Sequence, residues 1–262
     1  MRKFFITVAL SAILVAGLVG CSPTNNLIDE WVTEVEKIPG VTSAVYSNTD
    51  NSDALPELTV NILAQEKYYP EIQTQLCKAE NKLENSMPIT LTISEENKKS
   101  KVNVFTKTTC PQVFNSYARI WRTTNRVLPE SQLNIYPQTN TYSICEDCDV
   151  PLQQEEINVL LMGIIPEIKD PFVFKTKVAA SYTPQTPVPV TFDGNKAEAQ
   201  DLLRVLRYLE TPIDAPREIT VKNGTMEISY YSSTITQKEL ENTQTEIQNI
   251  VQTLTIETNT DK

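Results

Sequence analysis

The stretch "NKAEAQDLLRVLRYLETPIDAPREITVKNGTMEISY", residues 195–230, decides the fold. It opens on Asn195 with Glu198 three residues later, the spacing of a reciprocal N-terminal helix cap. Leu202, Val205, Leu206 and Leu209 follow on one helical stripe. The period then changes from about four to two: Ile219 and Val221 alternate with polar residues, as do Met226, Ile228 and Tyr230. Asn223-Gly224 between those runs is among the strongest short hairpin signals. One segment therefore reads as helix, strand, tight turn, strand.

Outward from this segment the same unit recurs. Helical stripes lie at Leu27, Trp31, Val35, Ile38; at Tyr69, Ile72, Leu76, Ala79, Leu83; and at Val113, Tyr117, Ile120, Trp121, Leu128. Further stripes lie at Ile157, Leu160, Leu161, Ile164 and at Leu240, Ile247, Val251, Leu254. Alternating runs separate them, such as Leu58, Val60, Ile62 and Ile89, Leu91, Ile93 with Val102, Val104. Leu133, Ile135 with Tyr142, Ile144, and Phe172, Phe174, Val178 with Val188, Val190, Phe192, continue the series. Thr236 with Glu239 repeats the cap spacing, and Pro151 suits a first helical turn. Strands with one apolar face need a cover, which the intervening amphipathic helices supply. The expected class is α+β, with repeated helix-strand-strand units forming two-layer, ferredoxin-like sandwiches. A boundary is expected near Asp149, giving domains over 27–149 and 150–262.

The N-terminus has a different character. Arg2 and Lys3 precede an uncharged apolar stretch from Phe4 to Gly20, which reads as an export signal over residues 1–20. Leu18-Val19-Gly20-Cys21 resembles the lipobox of bacterial lipoproteins. That resemblance implies cleavage before Cys21, diacylglycerol on its thiol, a short tether over 21–26, and a location on the extracytoplasmic face of a bacterial membrane. Two acyl chains anchor a protein stably where one does so only marginally. An uncleaved membrane span is the competing reading, because the run is near the lower length limit for crossing a bilayer.

Composition narrows the chemistry. The chain has 262 residues and a formal net charge of -10, which becomes -12 once Arg2 and Lys3 are cleaved away. Such a surface repels phosphates, so no nucleic acid partner is expected. The absence of histidine excludes Ser-His-Asp and Cys-His nucleophile activation and the usual His-containing zinc sites. Residues 21–262 hold only Gly40, Gly163, Gly194 and Gly224, too scattered for a phosphate-cradling loop. No cofactor and no metal are expected.

Four cysteines besides Cys21 remain: Cys77, Cys110, Cys145 and Cys148. An even number outside the cytoplasm favours disulfides. The expected pairing is Cys77 with Cys110 and Cys145 with Cys148. "CEDC" at 145–148 is also the raw material of an envelope thiol-disulfide oxidoreductase, the alternative function. Against it, Glu146, Asp147 and Asp149 raise the thiolate pKa, and Pro151 marks a helix start after the pair instead of at Cys145.

Arg119, Arg122 and Arg126 recur at helical spacing and form a candidate patch for an anion or partner; a solvated face beside acidic neighbours is the plainer reading. Tyr68-Tyr69 and Tyr230-Tyr231 are candidate sugar-stacking pairs, one tyrosine of each expected in the core. The sequence thus points to a lipid-anchored, non-enzymatic binding or scaffolding module, its partner an envelope protein or glycan.

Overall fold

The computed structural model describes residues 23–47, 57–63, 65–80, 89–95, 97–106, 114–144, 151–179, 187–209, 216–231 and 235–260. Six helices alternate with strand pairs: α1 (Pro23–Glu36), β1 (Val41–Ser47), β2 (Glu57–Ile62), α2 (Tyr69–Glu80), β3 (Ile89–Ser94) and β4 (Lys101–Thr106). Then come α3 (Phe114–Val127), β5 (Gln132–Tyr136), β6 (Thr141–Ile144), α4 (Gln154–Ile164), β7 (Phe172–Ala179) and β8 (Pro187–Gly194). The chain ends in α5 (Lys196–Tyr208), β9 (Glu218–Lys222), β10 (Thr225–Tyr230), α6 (Gln237–Ile250) and β11 (Thr255–Thr260).

All eleven strands join one mixed sheet in sequence order. Strands of one hairpin pair antiparallel, as in Met226 opposite Val221, and strands linked by a helix pair parallel, as in Leu58 beside Leu91. The α+β class and the repeated unit stand. The four-stranded ferredoxin-like sandwiches expected from the unit do not close, because every crossover joins neighbouring strands and none inserts between earlier ones. The sheet also continues through the position of the expected boundary, with β6 paired to β7 from Thr141 beside Val173 to Ser143 beside Lys175.

One face of the sheet carries the core. Val60, Ile93, Val102, Leu133, Ile144, Phe174, Val190, Ile219, Met226 and Ile256 are all buried there. Every helix packs on that face: Trp31 Nε1 donates to the Gln75 carbonyl at 2.6 Å between α1 and α2, and Tyr69 meets Phe114 edge-on between α2 and α3. At Gly163 on α4 a Cβ would lie 2.5 Å from Thr123 Cγ2 of α3, so glycine permits that close approach. Successive parallel pairs run in opposite directions while their helices stay on one side. The crossovers through α3 and α5 therefore have the opposite hand to those through α2, α4 and α6. Right-handed crossovers predominate in proteins generally. Here the one-sided apolar pattern outweighs that preference, since a helix on the other side would face Thr, Asn and Lys.

The caps at Asn195 and Thr236 form as the spacing requires: Asn195 Oδ1 accepts from Ala197 N and Glu198 N, and Thr236 Oγ1 from Glu239 N. Asn223 and Gly224 take φ of 53° and 76°, the left-handed pair a two-residue hairpin needs. Helix α1 spans Pro23–Glu36 and so overlaps the segment expected as tether. One expectation is corrected. The last helix stops at Ile250 instead of running to Leu254, and residues 255–260 form β11 parallel to β10. Asp201 of α5, fully buried, causes the break. Its Oδ2 accepts from Gln252 N at 2.9 Å, Thr253 N at 2.6 Å, Thr253 Oγ1 at 2.7 Å and Leu254 N at 3.2 Å. Three amides that turn toward one carboxylate cannot continue a helix.

Candidate functional site: the open sheet face

Because the described helices share one side, the other side of the sheet carries none of them. Strand alternation fixes which residues point to it, and Thr92, Asn103 and Ser143 among them are buried. Registers trace one row across all eleven strands: Val45, Thr59, Thr92, Asn103, Asn134, Ser143, Lys175, Thr191, Thr220, Glu227 and Glu257. A parallel row nearer one edge runs Glu57, Thr90, Phe105, and then Tyr136 opposite Thr141.

The face divides by charge. From β1 to β6 it holds hydroxyls, amides, Val45, Phe105 and Tyr136, with Glu57 and Lys101 as the charged groups. From β7 to β11 it holds Lys175, Lys177, Asp193, Glu218, Lys222, Glu227 and Glu257. In the first half the polar groups are knitted together. Thr92 Oγ1 lies 3.0 Å from both Glu57 Oε1 and Asn103 Oδ1; Asn103 Nδ2 donates to Asn134 Oδ1 at 3.0 Å, and Gln132 Nε2 to the same oxygen at 2.9 Å. Asn61 Nδ2 donates to Ser43 Oγ at 2.7 Å, and Ser94 Oγ donates to Asn61 Oδ1. Phe105 and Tyr136 stack across β4 and β5 with centroids 4.8 Å apart and planes 9° apart. Parallel rings that close must overlap, so one face of each is left uncovered by the other. Tyr136 is 37% exposed.

The residues singled out from sequence lie elsewhere. Arg119, on α3, grips Glu167 with two bonds of 2.7 Å, Nε to Oε1 and Nη2 to Oε2. That guanidinium holds the Glu167 carboxyl below the ordinary carboxylate range against the opposing effect of burial. Arg122 pairs with Glu66 at 3.1 Å. Arg126 borders a shallow cleft of about 430 Å³ with Val127, Gln153, Glu155, Glu156 and Val159. Two of the three arginines are thus engaged by carboxylates of neighbouring elements. Tyr69 and Tyr230 are buried and Tyr231 is exposed, so one member of the second pair serves the core; Tyr68 is half-buried and packs against the core beside Tyr69, so both members of the first pair do.

Cys77, in the last turns of α2, is disulfide-bonded. Cys21, Cys110, Cys145 and Cys148 lie outside the described residues. Among the described residues no group of three or more acidic or cysteine side chains gathers as a metal site, and no helix is long and apolar enough to cross a membrane.

Phe105, Tyr136, Asn103, Asn134 and Gln132 were missed in the sequence because the apolar half of each alternating strand draws attention to the core. The signal available was their in-between position: the polar half of those strands is amide and hydroxyl, with few charges. Comparison with known proteins finds no family model that this chain matches and no similar protein among those with curated descriptions.

Proposed function

We propose that this protein is a lipid-anchored, non-enzymatic binding module of the bacterial cell envelope, held outside the membrane through Cys21 and recognising its partner with the open sheet face. The observation that carries the reading is the lipobox Leu18-Val19-Gly20-Cys21, followed in sequence by the helix Pro23–Glu36. Eleven strands spaced about 4.8 Å apart span roughly 48 Å, so a lipid on Cys21 would keep the sheet within a few nanometres of the bilayer. A broad, polar sheet face suits an extended partner, where a deep cleft would suit a small molecule. Two acyl chains supply the retention.

The pairing proposed for the cysteines is Cys77 with Cys110 and Cys145 with Cys148. Placement favours it. Cys77 lies about 12 Å along α2 from Tyr69, at eight residues of 1.5 Å each, and the Tyr69 ring reaches Phe114 at the start of α3. Cys110 precedes Phe114 by four residues. Cys145 follows β6 in sequence; β6 lies three strands beyond β3 and runs the same way, so its C-terminal end is far from the start of β3, whereas a disulfide needs Cα atoms within about 7 Å.

The test is fractionation of cells expressing the full chain or its Cys21→Ser variant, with mass analysis of the N-terminal peptide. Diacylglycerol on Cys21 and release of the variant from membranes support the reading. An unmodified Cys21, or a variant retained as before, refutes it.

A further inference from the structure

We infer that the β1–β6 half of the open face binds an uncharged, hydroxyl-rich polysaccharide, centred on Tyr136. This rests on the reading that the open face is the recognition surface, and narrows it to one class of partner.

Charge is the first argument. The chain carries -10 overall, and 21% of its residues are charged, yet among the described residues the strands of this half-face show only Glu57 and Lys101, of opposite sign. Solubility alone is served better by lysine and glutamate, which the β7–β11 half of the same face uses freely. A surface of amides and hydroxyls offers an ionic partner no net countercharge, and meets a neutral polymer of hydroxyls with matching donors and acceptors.

The second argument is the aromatic pair, an independent observation. Phe105 and Tyr136 stand on the polar side of the sheet, where they contribute nothing to the core. Stacking explains their mutual contact, and Tyr136 remains 37% exposed. A pyranose presents a flat patch of C–H groups flanked by hydroxyls, and an aromatic face flanked by polar side chains complements it.

The surroundings of Tyr136 fit. Thr141 stands opposite it on β6, and the hydroxyls of Thr139 and Thr141 lie 2.9 Å apart. Two residues up the same strand Asn134 accepts two bonds on Oδ1, which leaves its Nδ2 protons outside the ladder, and Gln132 beyond it is exposed. Because the ladder already fixes these amides, little side-chain freedom is lost when a polymer docks.

Native affinity electrophoresis of the full chain in detergent, through gels cast with hydroxyethyl cellulose, glucomannan, dextran or hyaluronan, tests the idea. Expected is retardation by at least one of the three uncharged polymers, unchanged between low and high salt. Tyr136→Ala should weaken it tenfold or more, Tyr136→Phe should keep it, and Glu257→Gln on the charged half should leave it unaltered. Should Tyr136→Ala not fold, Gln132→Ala takes its place, with a threefold or greater weakening expected. Retardation by hyaluronan alone, by none of the polymers, or undiminished in the folded Tyr136→Ala or Gln132→Ala variant would overturn the inference. So would an envelope protein captured on Tyr136 with no glycan bound. None of these outcomes depends on Cys21, so failure here leaves the anchoring reading to its own fractionation test.

Discussion

Removal of the Asp201 carboxylate should detach the last strand. The buried side chain accepts four bonds on Oδ2 from residues 252–254, and Oδ1 accepts from Arg204 Nη1. Asp201→Ala would leave three amides and a hydroxyl without their acceptor; breaking a buried charged network of this kind costs about 3–5 kcal/mol. For a chain of this length 1 kcal/mol moves the melting temperature by about 2–4 °C, so a fall of roughly 6–20 °C is expected. Asp201→Asn keeps the shape and one accepting oxygen but loses the charge, and should cost about 2 kcal/mol. The pH dependence follows. Burial raises the Asp201 pKa, but the bonds from Thr253, Gln252 and Leu254 outweigh it and the net shift is downward. A depressed carboxylate stabilises the fold above its unfolded pKa, about 3.9, and that contribution is lost as pH falls through the lower folded value. Denaturant unfolding of wild type and Asp201→Asn should therefore differ by a constant amount near neutrality and converge in acid. Hydrogen exchange should show faster loss of protection at 252–260 in the variant. An Asp201→Asn protein within about 0.5 kcal/mol of wild type, with protection of β11 intact, would refute the reasoning.

Other consequences are open to simpler measurements. Gly163→Val should destabilise by about 1–3 kcal/mol through collision with Thr123, and Thr123→Ala in the same chain should recover part of the loss in a thermal melt. Thr236→Ala removes the side-chain oxygen that accepts from Glu239 N at 3.3 Å and should cost about 1 kcal/mol in denaturant unfolding. A non-reducing peptide map should join Cys77 to Cys110; a link from Cys77 to Cys145 or Cys148 contradicts the proposed pairing, and a link to Cys21 contradicts lipidation as well.

What the sequence determined by itself was the unit. Its signals are local: a change of period from about four to two, Asn195 three residues before Glu198, Asn223-Gly224 between two alternating runs. Each depends on neighbours within a few residues, so the α+β class, the six helices and the first ten strands could be read along the chain. The order of strands across the sheet, the absence of closed ferredoxin-like sandwiches and the shared side of all six helices are relations between units. They were settled where the apolar half of each hairpin found cover, and a pattern of alternation is identical whichever neighbour supplies it. The same holds for β11, whose start depends on Asp201 some 51 residues earlier, and for Arg119, whose partner Glu167 is 48 residues away. The open face belongs with them. Its residues are visible in the sequence only as the polar intervals of strands, and become one neutral surface bearing Tyr136 only when tertiary pairing lays six strands side by side.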